Sequence, residues 1–248
     1  MDTAWHDPEG NITRADELVA EAAERNADVA VLPEMCTSGF SMDPEKAAEP
    51  EGGQSVMGLA SIARNNRINL IAGVALRESG QEKARNSALV FNRKGEIVSR
   101  YTKCHPFSPS GEDLRYEAGV DPVVFELEGV RSSVFICYDL RFPEIMRSVA
   151  ESVQVMYVIA NWPAGRARHW HTLLTARAIE NQCFVLGVNR TGTDGNGIVY
   201  EGGSLAVGPT GMVLLRAGAA EGVELVEFDP AETEQARAEF PALKDRRF

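Results

Sequence analysis

Three reactive side chains each follow a strand-like apolar run. Glu34 comes after VAVLP, Lys103 ends the run EIVSRYTK, and Cys137 lies at the end of SSVFIC. Binding and catalytic sites collect at the carboxyl ends of strands in open α/β sheets, so we expect these three side chains to share one edge. Each residue alone also has an ordinary structural explanation, as a solvated acid, an edge lysine or a core thiol.

A carboxylate, an ammonium group and a thiol in one pocket could attack a carbonyl group. Cys137 would be the nucleophile, and a buried Glu34 would take its proton, because desolvation raises the proton affinity of a carboxylate. Lys103 and the backbone N–H of Tyr138 would hold the negative carbonyl oxygen. The segment SSVFICYDLRFPEI predicts a bend into a helix near Phe142, so we expect this helix start and a cation to favour the thiolate.

The remaining apolar runs predict the elements that position these residues. A helix capped by Asn11 precedes VAVLP, a helix over residues 54–67 precedes INLIAGVAL, and NSALVFN forms a hairpin with EIVSRYTK. Further strands are predicted at PVVFELEG, SSVFICY, VQVMYVIAN, CFVLGVN, SLAVGP, MVLLRAG and VELVEFD, and further helices at residues 142–150 and 166–181.

So many strands exceed one open sheet of ordinary size, and several are apolar throughout rather than alternating. We therefore predict an α/β fold, a four-layer α-β-β-α sandwich with two mixed β-sheets. No linker or repeat divides the chain, so residues 1–248 are expected to form a single domain with a charged C-terminal tail from about residue 230 to 248.

Composition narrows the class of partner to small molecules. The net charge of -11 disfavours binding to nucleic acid or to an anionic membrane surface. No apolar run reaches the roughly 20 residues that span a bilayer, and the N-terminus lacks a signal-peptide pattern, so a cytoplasmic location is expected. The four cysteines are scattered, without the short spacings of a zinc site, and no phosphate-loop lysine follows TGTDGNG. Neither a metal nor another cofactor is predicted.

Three motifs resemble the nitrilase superfamily, the carbon-nitrogen hydrolases. They are LPEM with the GF that follows it, YTKCHPF and CYDLRFPE, and the resemblance runs over nearly the whole chain. It implies that the catalytic Glu, Lys and Cys of the family fall on Glu34, Lys103 and Cys137. Glu112 in PSGEDLRY resembles a second, supporting carboxylate. The resemblance also implies a symmetric homodimer built around the helices next to the catalytic strand.

Within that superfamily, ANWPAGRARHWHTLLTARAIENQ, NRTGTDGNG and FPALKDRR are most similar to the omega-amidase branch. This similarity implies hydrolysis of the terminal amide of a dicarboxylate monoamide such as alpha-ketoglutaramate or alpha-ketosuccinamate. The second carboxylate of such a substrate needs a cation, and Arg141, Arg166 and Arg168 are candidates, with Trp162 as a further substrate-binding residue. One departure is that family members open with a short strand before the segment matching residues 1–5; its absence would expose a sheet edge.

Several alternatives remain open at this stage. A papain-like pair could use His105, His169 or His171, but the usual sequence surroundings of that pair are missing. The substrate could instead be deaminated glutathione or an N-carbamoyl amine. An acyltransferase would pass the acyl group to an amine, and a non-catalytic regulator would bind a small amide without cleaving it. Ammonia release with water as the only acceptor separates an amidase from the last two.

Overall fold

Two mixed β-sheets face each other in the computed structural model, which describes residues 1–247. The first sheet has the order β1-β2-β3-β4, in which β1 and β2 are parallel and the other pairs are antiparallel. The second has the order β12-β11-β8-β7-β6-β5, with a parallel centre formed by β6, β7 and β8. The strands are β1 Val29–Val31, β2 Asn69–Leu76, β3 Arg85–Phe91, β4 Ile97–Thr102, β5 Phe125–Leu127, β6 Val130–Ile136, β7 Val155–Ala160, β8 Phe184–Asn189, β9 Thr191–Thr193, β10 Val199–Glu201, β11 Leu205–Val207 and β12 Val213–Arg216.

The helices of the described residues are α1 Pro8–Glu24, α2 Pro44–Ala47, α3 Gln54–Asn66, α4 Glu112–Arg115, α5 Pro143–Ser148, α6 Ala167–Asn181 and α7 Ala231–Glu239. Helices α1 and α3 cover the outer face of the first sheet, and α6 covers that of the second. Apolar side chains of α1 and α3 share a buried cluster with Leu70 and Leu89 of the first sheet. On the second sheet, Leu174 of α6 belongs to the same cluster as β7 and β8.

Successive side chains of a strand point to opposite faces of its sheet, so each strand contributes both to the layer between the sheets and to the layer under the helices. Ile71 and Val90 belong to the cluster between the sheets, whereas their neighbours Leu70 and Leu89 belong to the cluster under the helices. Between the sheets, the rings of Tyr101 and Phe135 meet edge-on with centroids 5.8 Å apart. The predicted α/β class with two mixed sheets is therefore confirmed.

Two element predictions were wrong. The first helix is capped by Asp7, whose carboxylate accepts from the Gly10 amide, and Pro8 occupies its first turn. Asn11 lies inside that helix, and its side-chain amide donates to the carbonyl of Thr37. The run VELVEFD forms no strand; it passes as an extended segment in which Phe228 packs on Phe184.

The N-terminal segment ahead of α1 makes only one isolated bridge, between Asp2 and Thr191. Since β1 ends the strand order of its sheet, its outer edge has no ladder partner within residues 1–247. The segment TGTDGNG forms the turn region of a small antiparallel pair, β9 with β10. Within the described range, no helix is both long and apolar enough to cross a membrane.

Candidate active site

The structure brings the three predicted residues together at strand ends of the two facing sheets. Glu34 follows β1 by three residues, Lys103 directly follows β4, and Cys137 directly follows β6. The side chains of Glu34 and Lys103 are 0% and 1% exposed, and Lys103 Nζ donates to Glu34 Oε1 at 2.8 Å. The thiol of Cys137 lies beside the Glu34 carboxylate and points toward the carbonyl oxygen of Asn161, 3.8 Å from Sγ.

A glycine on β2 makes room for the turn that carries Glu34. A Cβ added at Gly73 would lie 2.5 Å from the Cα of Glu34 and 2.7 Å from the amide nitrogen of Met35. The two backbones also exchange a hydrogen bond, from the Cys36 amide to the Gly73 carbonyl at 2.9 Å. Any larger residue at position 73 would therefore displace the carboxylate.

Each oxygen of the Glu34 carboxylate accepts two hydrogen bonds. Oε1 accepts from Lys103 Nζ at 2.8 Å and from Asn86 Nδ2 at 2.7 Å. Oε2 accepts from the Asn161 backbone amide at 2.9 Å and from its side-chain Nδ2 at 3.3 Å. Four donors hold this carboxylate in one orientation, and the contact at 3.3 Å is the weakest of the four.

Glu112 lies on the other side of the lysine. Gly111 takes a left-handed conformation just before it, and α4 begins at Glu112. Glu112 Oε2 accepts from Lys103 Nζ at 2.8 Å and from the Phe107 amide at 2.5 Å. Although burial opposes a charged lysine, the carboxylates of Glu112 and Glu34 raise the pKa of Lys103, so the ammonium group stays protonated.

A strained turn presents Cys137. Its φ of +47° lies in the left-handed region, which costs a residue other than glycine about 1–3 kcal/mol, and a 3-10 turn over Cys137–Arg141 follows. The buried carboxylate of Asp139 braces this turn by accepting from the Ile136 amide at 3.0 Å and from Tyr101 Oη at 2.7 Å. Asp139 also accepts from the His105 amide at 2.9 Å, so it ties the turn to the loop after Lys103.

The expectation of a favoured thiolate was wrong. Burial and the negative charge of Glu34 raise the pKa of the Cys137 thiol well above its ordinary value. The helix α5 begins only at Pro143, six residues further on, and the Lys103 ammonium is shared between two carboxylates. The resting site therefore holds a neutral thiol next to a base.

This arrangement predicts a steep pH dependence of thiol alkylation. The thiolate fraction rises with pH up to the raised pKa of Cys137, so without substrate its rate of reaction with iodoacetamide should climb about tenfold per pH unit between pH 6 and 9. Mass spectrometry of the labelled peptide would follow the reaction, and Cys137→Ala would supply the background from half-buried Cys104. A rate that is already constant at pH 7 would contradict the neutral thiol.

A pocket of about 520 Å³ opens above Cys137. Its walls include Tyr138, Trp162, Arg141 and Arg166, all predicted from the sequence. The Arg141 guanidinium stacks 4.8 Å from the Trp162 ring, and that of Arg166 lies 5.6 Å from the ring of Phe107. Within residues 1–247, neither arginine has a carboxylate partner within 4 Å.

Arg168 was a wrong candidate for this pocket. It lies on the exposed face of the first turn of α6 and is not among the pocket residues. Arg166 precedes α6 and is half-buried, whereas Arg168 is the second residue of the helix and is exposed.

Of the three histidines considered as catalytic partners, His105 and His171 take structural positions, and His169 Nδ1 lies 3.3 Å from Arg141 Nη2. His105 Nδ1 lies 2.8 Å from Asp139 Oδ1, and its ring stacks on Phe142 with centroids 3.9 Å apart. His171 Nε2 lies 3.1 Å from the Gly203 carbonyl. No group of three or more His, Cys, Asp or Glu side chains in residues 1–247 is arranged to hold a metal ion.

Three polar residues of the site were missed from the sequence: Asn86, Asn161 and Asp139. Asn161 directly follows β7, which is parallel to β6, so the strand-end argument that located Cys137 could also have located it. Asn86 is the second residue of β3, between Arg85 and Ser87, and nothing in the sequence distinguishes it from an ordinary polar residue at a strand start. Asp139 lies in the motif CYDLRFPE, but its spacing does not show which groups its carboxylate accepts from.

Comparisons with known proteins agree with this geometry. The family model "Carbon-nitrogen hydrolase" matches residues 1–238. The chain is 36% identical to a 2-oxoglutaramate amidase of Bacillus subtilis over 100% of this chain and 95% of that one. It is 40% identical to the omega-amidase YafV of Escherichia coli over 97% and 92% of the two chains.

Two solved structures extend the likeness to three dimensions. A CN-hydrolase superfamily protein of Xanthomonas campestris, with an arsenic adduct in its active site, has a TM-score of 0.93 and 35% identity, covering 100% of this chain and 94% of that one. An amidase mutant from Nesterenkonia, which carries the acetamide moiety of fluoroacetamide on its active-site cysteine, has a TM-score of 0.87 and 27% identity, covering 99% and 90%. Together with the family match, these findings show that the chain belongs to the carbon-nitrogen hydrolase family.

Proposed function

We propose that this protein is an omega-amidase, which hydrolyses the terminal carboxamide of a small dicarboxylate monoamide to the acid and ammonia. The observation that carries the proposal is a thiol beside a fixed carboxylate, at the base of a pocket with two arginines that lack carboxylate partners within residues 1–247. Relatives named omega-amidase and 2-oxoglutaramate amidase support the same substrate class.

The first half of the reaction forms a thioester. Glu34 accepts the thiol proton as Cys137 Sγ attacks the amide carbon, so the thiolate exists only as the new bond forms. Lys103 and the backbone amide of Tyr138 hold the oxyanion; the amide is available because the first N–H groups of a helical turn have no partner inside it. The C–N bond then breaks, and Glu34 passes its proton to the departing nitrogen, which leaves as ammonia.

The second half regenerates the enzyme. Water enters the position vacated by ammonia and gives a proton to Glu34 while its oxygen attacks the thioester carbon. The C–S bond breaks, and Glu34 returns the proton to the Cys137 sulfur. One carboxylate thus acts alternately as base and acid, and Lys103 stays protonated throughout.

Arg141 and Arg166 recognise the second carboxylate of the substrate. Both guanidinium groups stack on pocket aromatic rings, which orients them without neutralising them. A carboxylate that enters the pocket therefore meets unpaired cations, whereas a simple monoamide gains nothing from them.

Replacing either pocket arginine should weaken binding of the dicarboxylate monoamide selectively. We expect Arg141→Leu and Arg166→Leu each to raise KM for alpha-ketoglutaramate by about 10- to 100-fold, because a charge-assisted hydrogen bond is lost. KM for an amide without a carboxylate should change little, and the exposed Arg168→Leu should behave like wild type. Equal losses for both kinds of substrate would reject carboxylate recognition.

A substrate panel tests the proposed function directly. Ammonia release would be measured from alpha-ketoglutaramate, deaminated glutathione, glutamine and an N-carbamoyl amine, with water as the only acceptor. We expect turnover of the keto-amide. Turnover of another member alone would reassign the substrate, and no ammonia from any of them would favour an acyltransferase or a binding protein.

In this proposal the protein acts as a homodimer in the cytoplasm. Exposed apolar side chains on α6 and on the adjacent turn before β12, Ile179 and Met212, support a contact between copies on the helical face of the second sheet. The four free cysteines suit a reducing compartment. Light scattering would give the mass in solution, and cell fractionation would give the location.

A further inference from the structure

Asn86 touches all three charged residues of the candidate site. Its side-chain Nδ2 donates to Glu34 Oε1 at 2.7 Å and to Glu112 Oε1 at 2.8 Å, so each of its two hydrogens goes to a different carboxylate. Its backbone carbonyl accepts from the Lys103 amide at 2.8 Å. The side chain is 1% exposed, and no other neutral side chain of the described residues bonds to both carboxylates.

These contacts close a ring of hydrogen bonds. Lys103 Nζ and Asn86 Nδ2 face each other across the two carboxylates, because each of them donates to both Glu34 and Glu112. The lysine neutralises charge, whereas the amide supplies directed donors without adding charge. The separation of the carboxylates is thereby set on both sides.

A purely structural role would favour a different residue at this position. Asn86 Oδ1 is buried and has no hydrogen-bond partner within residues 1–247, and an unpaired buried acceptor is unfavourable. An apolar residue of similar size would avoid that cost. Asparagine therefore suits this position because its Nδ2 group supplies two hydrogen-bond donors.

We propose that Asn86 is a positioning residue that holds Glu34 in the orientation from which it acts as the base for Cys137. The inference rests on the proposed function, because it assigns to Glu34 the acceptance of the thiol proton. Without the Asn86 donor, Glu34 Oε1 keeps only Lys103 Nζ as its donor, and the carboxylate loses one of the four hydrogen bonds that fix its direction. The base is then misaligned with the thiol, although the lysine still neutralises its charge.

A substitution of Asn86 leaves the other groups around Glu34 unchanged. Lys103 and Glu112 lie on one side of it and the Cys137 thiol on another, and the Tyr116 and Tyr200 hydroxyls lie farther out. The two tyrosines donate to the Ser41 carbonyl and to an Asp194 carboxylate oxygen, so neither replaces the lost donor.

The test compares the steady-state kinetics of Asn86→Leu with those of wild type. We expect kcat to fall about a hundredfold, because a catalytic group displaced by about an ångström loses that much rate, and KM to change little. Asn86→Ser keeps one donor and the backbone carbonyl, so it should fall between the two and guards against a leucine variant that does not fold.

Asn69 provides a matched control. It is a buried asparagine on the neighbouring strand β2, and its Nδ2 likewise donates to a carboxylate, that of Glu128, at 2.8 Å. Asn86 pairs with Ala75, so Asn69 lies six residues away along β2, roughly 20 Å at the rise of a strand. Asn69→Leu should lower the melting temperature without lowering kcat.

An infrared difference spectrum makes the outcome independent of the substrate. The carboxylate stretching band that is present in wild type and absent in Glu34→Gln reports the hydrogen bonds to Glu34 directly. We expect the frequency of this band to shift in Asn86→Leu and to stay unchanged in Asn69→Leu. An unchanged frequency in both would overturn the inference even if the amidase is active, whereas a shift in a protein that cleaves no amide would reject only the proposed function.

Discussion

Cys137→Ala should abolish ammonia release from every amide that the wild type cleaves. The loss should be about 10⁴-fold or more, because the remaining pocket can bind and polarise the amide but has no nucleophile to form the thioester. Alanine fits the space of the thiol, and the left-handed conformation at position 137 costs alanine about as much as cysteine, so the fold should persist. Ammonia would be assayed beside thermal unfolding of both proteins.

Cys183→Ala is the matched control for Cys137→Ala. Cys183 is a buried thiol just before β8, outside the pocket, and its removal should leave turnover close to wild type. Activity of Cys137→Ala above about one hundredth of wild type would show that another group attacks the amide, and the assignment of the nucleophile would then fail.

Glu34→Gln should reduce kcat by about 10³-fold or more, since it removes the group that moves the proton in each step. It should also destabilise the protein. All four groups that bond to the Glu34 carboxylate are donors, whereas glutamine has an NH₂ group, itself a donor, in place of one oxygen. The glutamine NH₂ group must therefore face either Lys103 and Asn86 or the amide of Asn161. We expect the free energy of unfolding to fall by about 3 kcal/mol. Urea unfolding would measure it.

The two effects of Glu34→Gln can be separated with Glu34→Asp. Aspartate keeps the charge and the acceptors but shortens the side chain by one methylene, so stability should be largely retained while kcat stays low. Full activity of Glu34→Asp or of Glu34→Gln would exclude this carboxylate as the proton shuttle and leave Glu112 as the candidate base.

Strand ends were the most informative part of the sequence. Glu34, Lys103 and Cys137 could be located because each follows an apolar run, and a run of apolar residues that ends in a reactive one is visible without a structure. Their mutual distances could not be predicted, since Glu34 and Lys103 come from one sheet and Cys137 from the other. That relation depends on how the sheets pack.

Other features depend on contacts that leave little trace in sequence. Asparagine is a residue type that favours helix caps, but Asp7 with Pro8 starts the helix one turn before Asn11. Asn11 instead bonds to the carbonyl of Thr37. The raised pKa of Cys137 also escaped prediction. It arises from burial and from Glu34, which outweigh a lysine already shared with Glu112.

The hydrogen bonds between Asn161 and Glu34 cross from one sheet to the other, because Asn161 follows β7 and Glu34 follows β1. The nucleophile and the base thus follow strands of different sheets, and the apolar layer between the sheets sets their relative position. A substitution in that layer, at Val90 or Phe135 for example, would shift the sheets by a fraction of an ångström. The catalytic rate would then fall while every helix and strand remains. Catalytic rate is therefore a finer gauge of sheet alignment than circular dichroism.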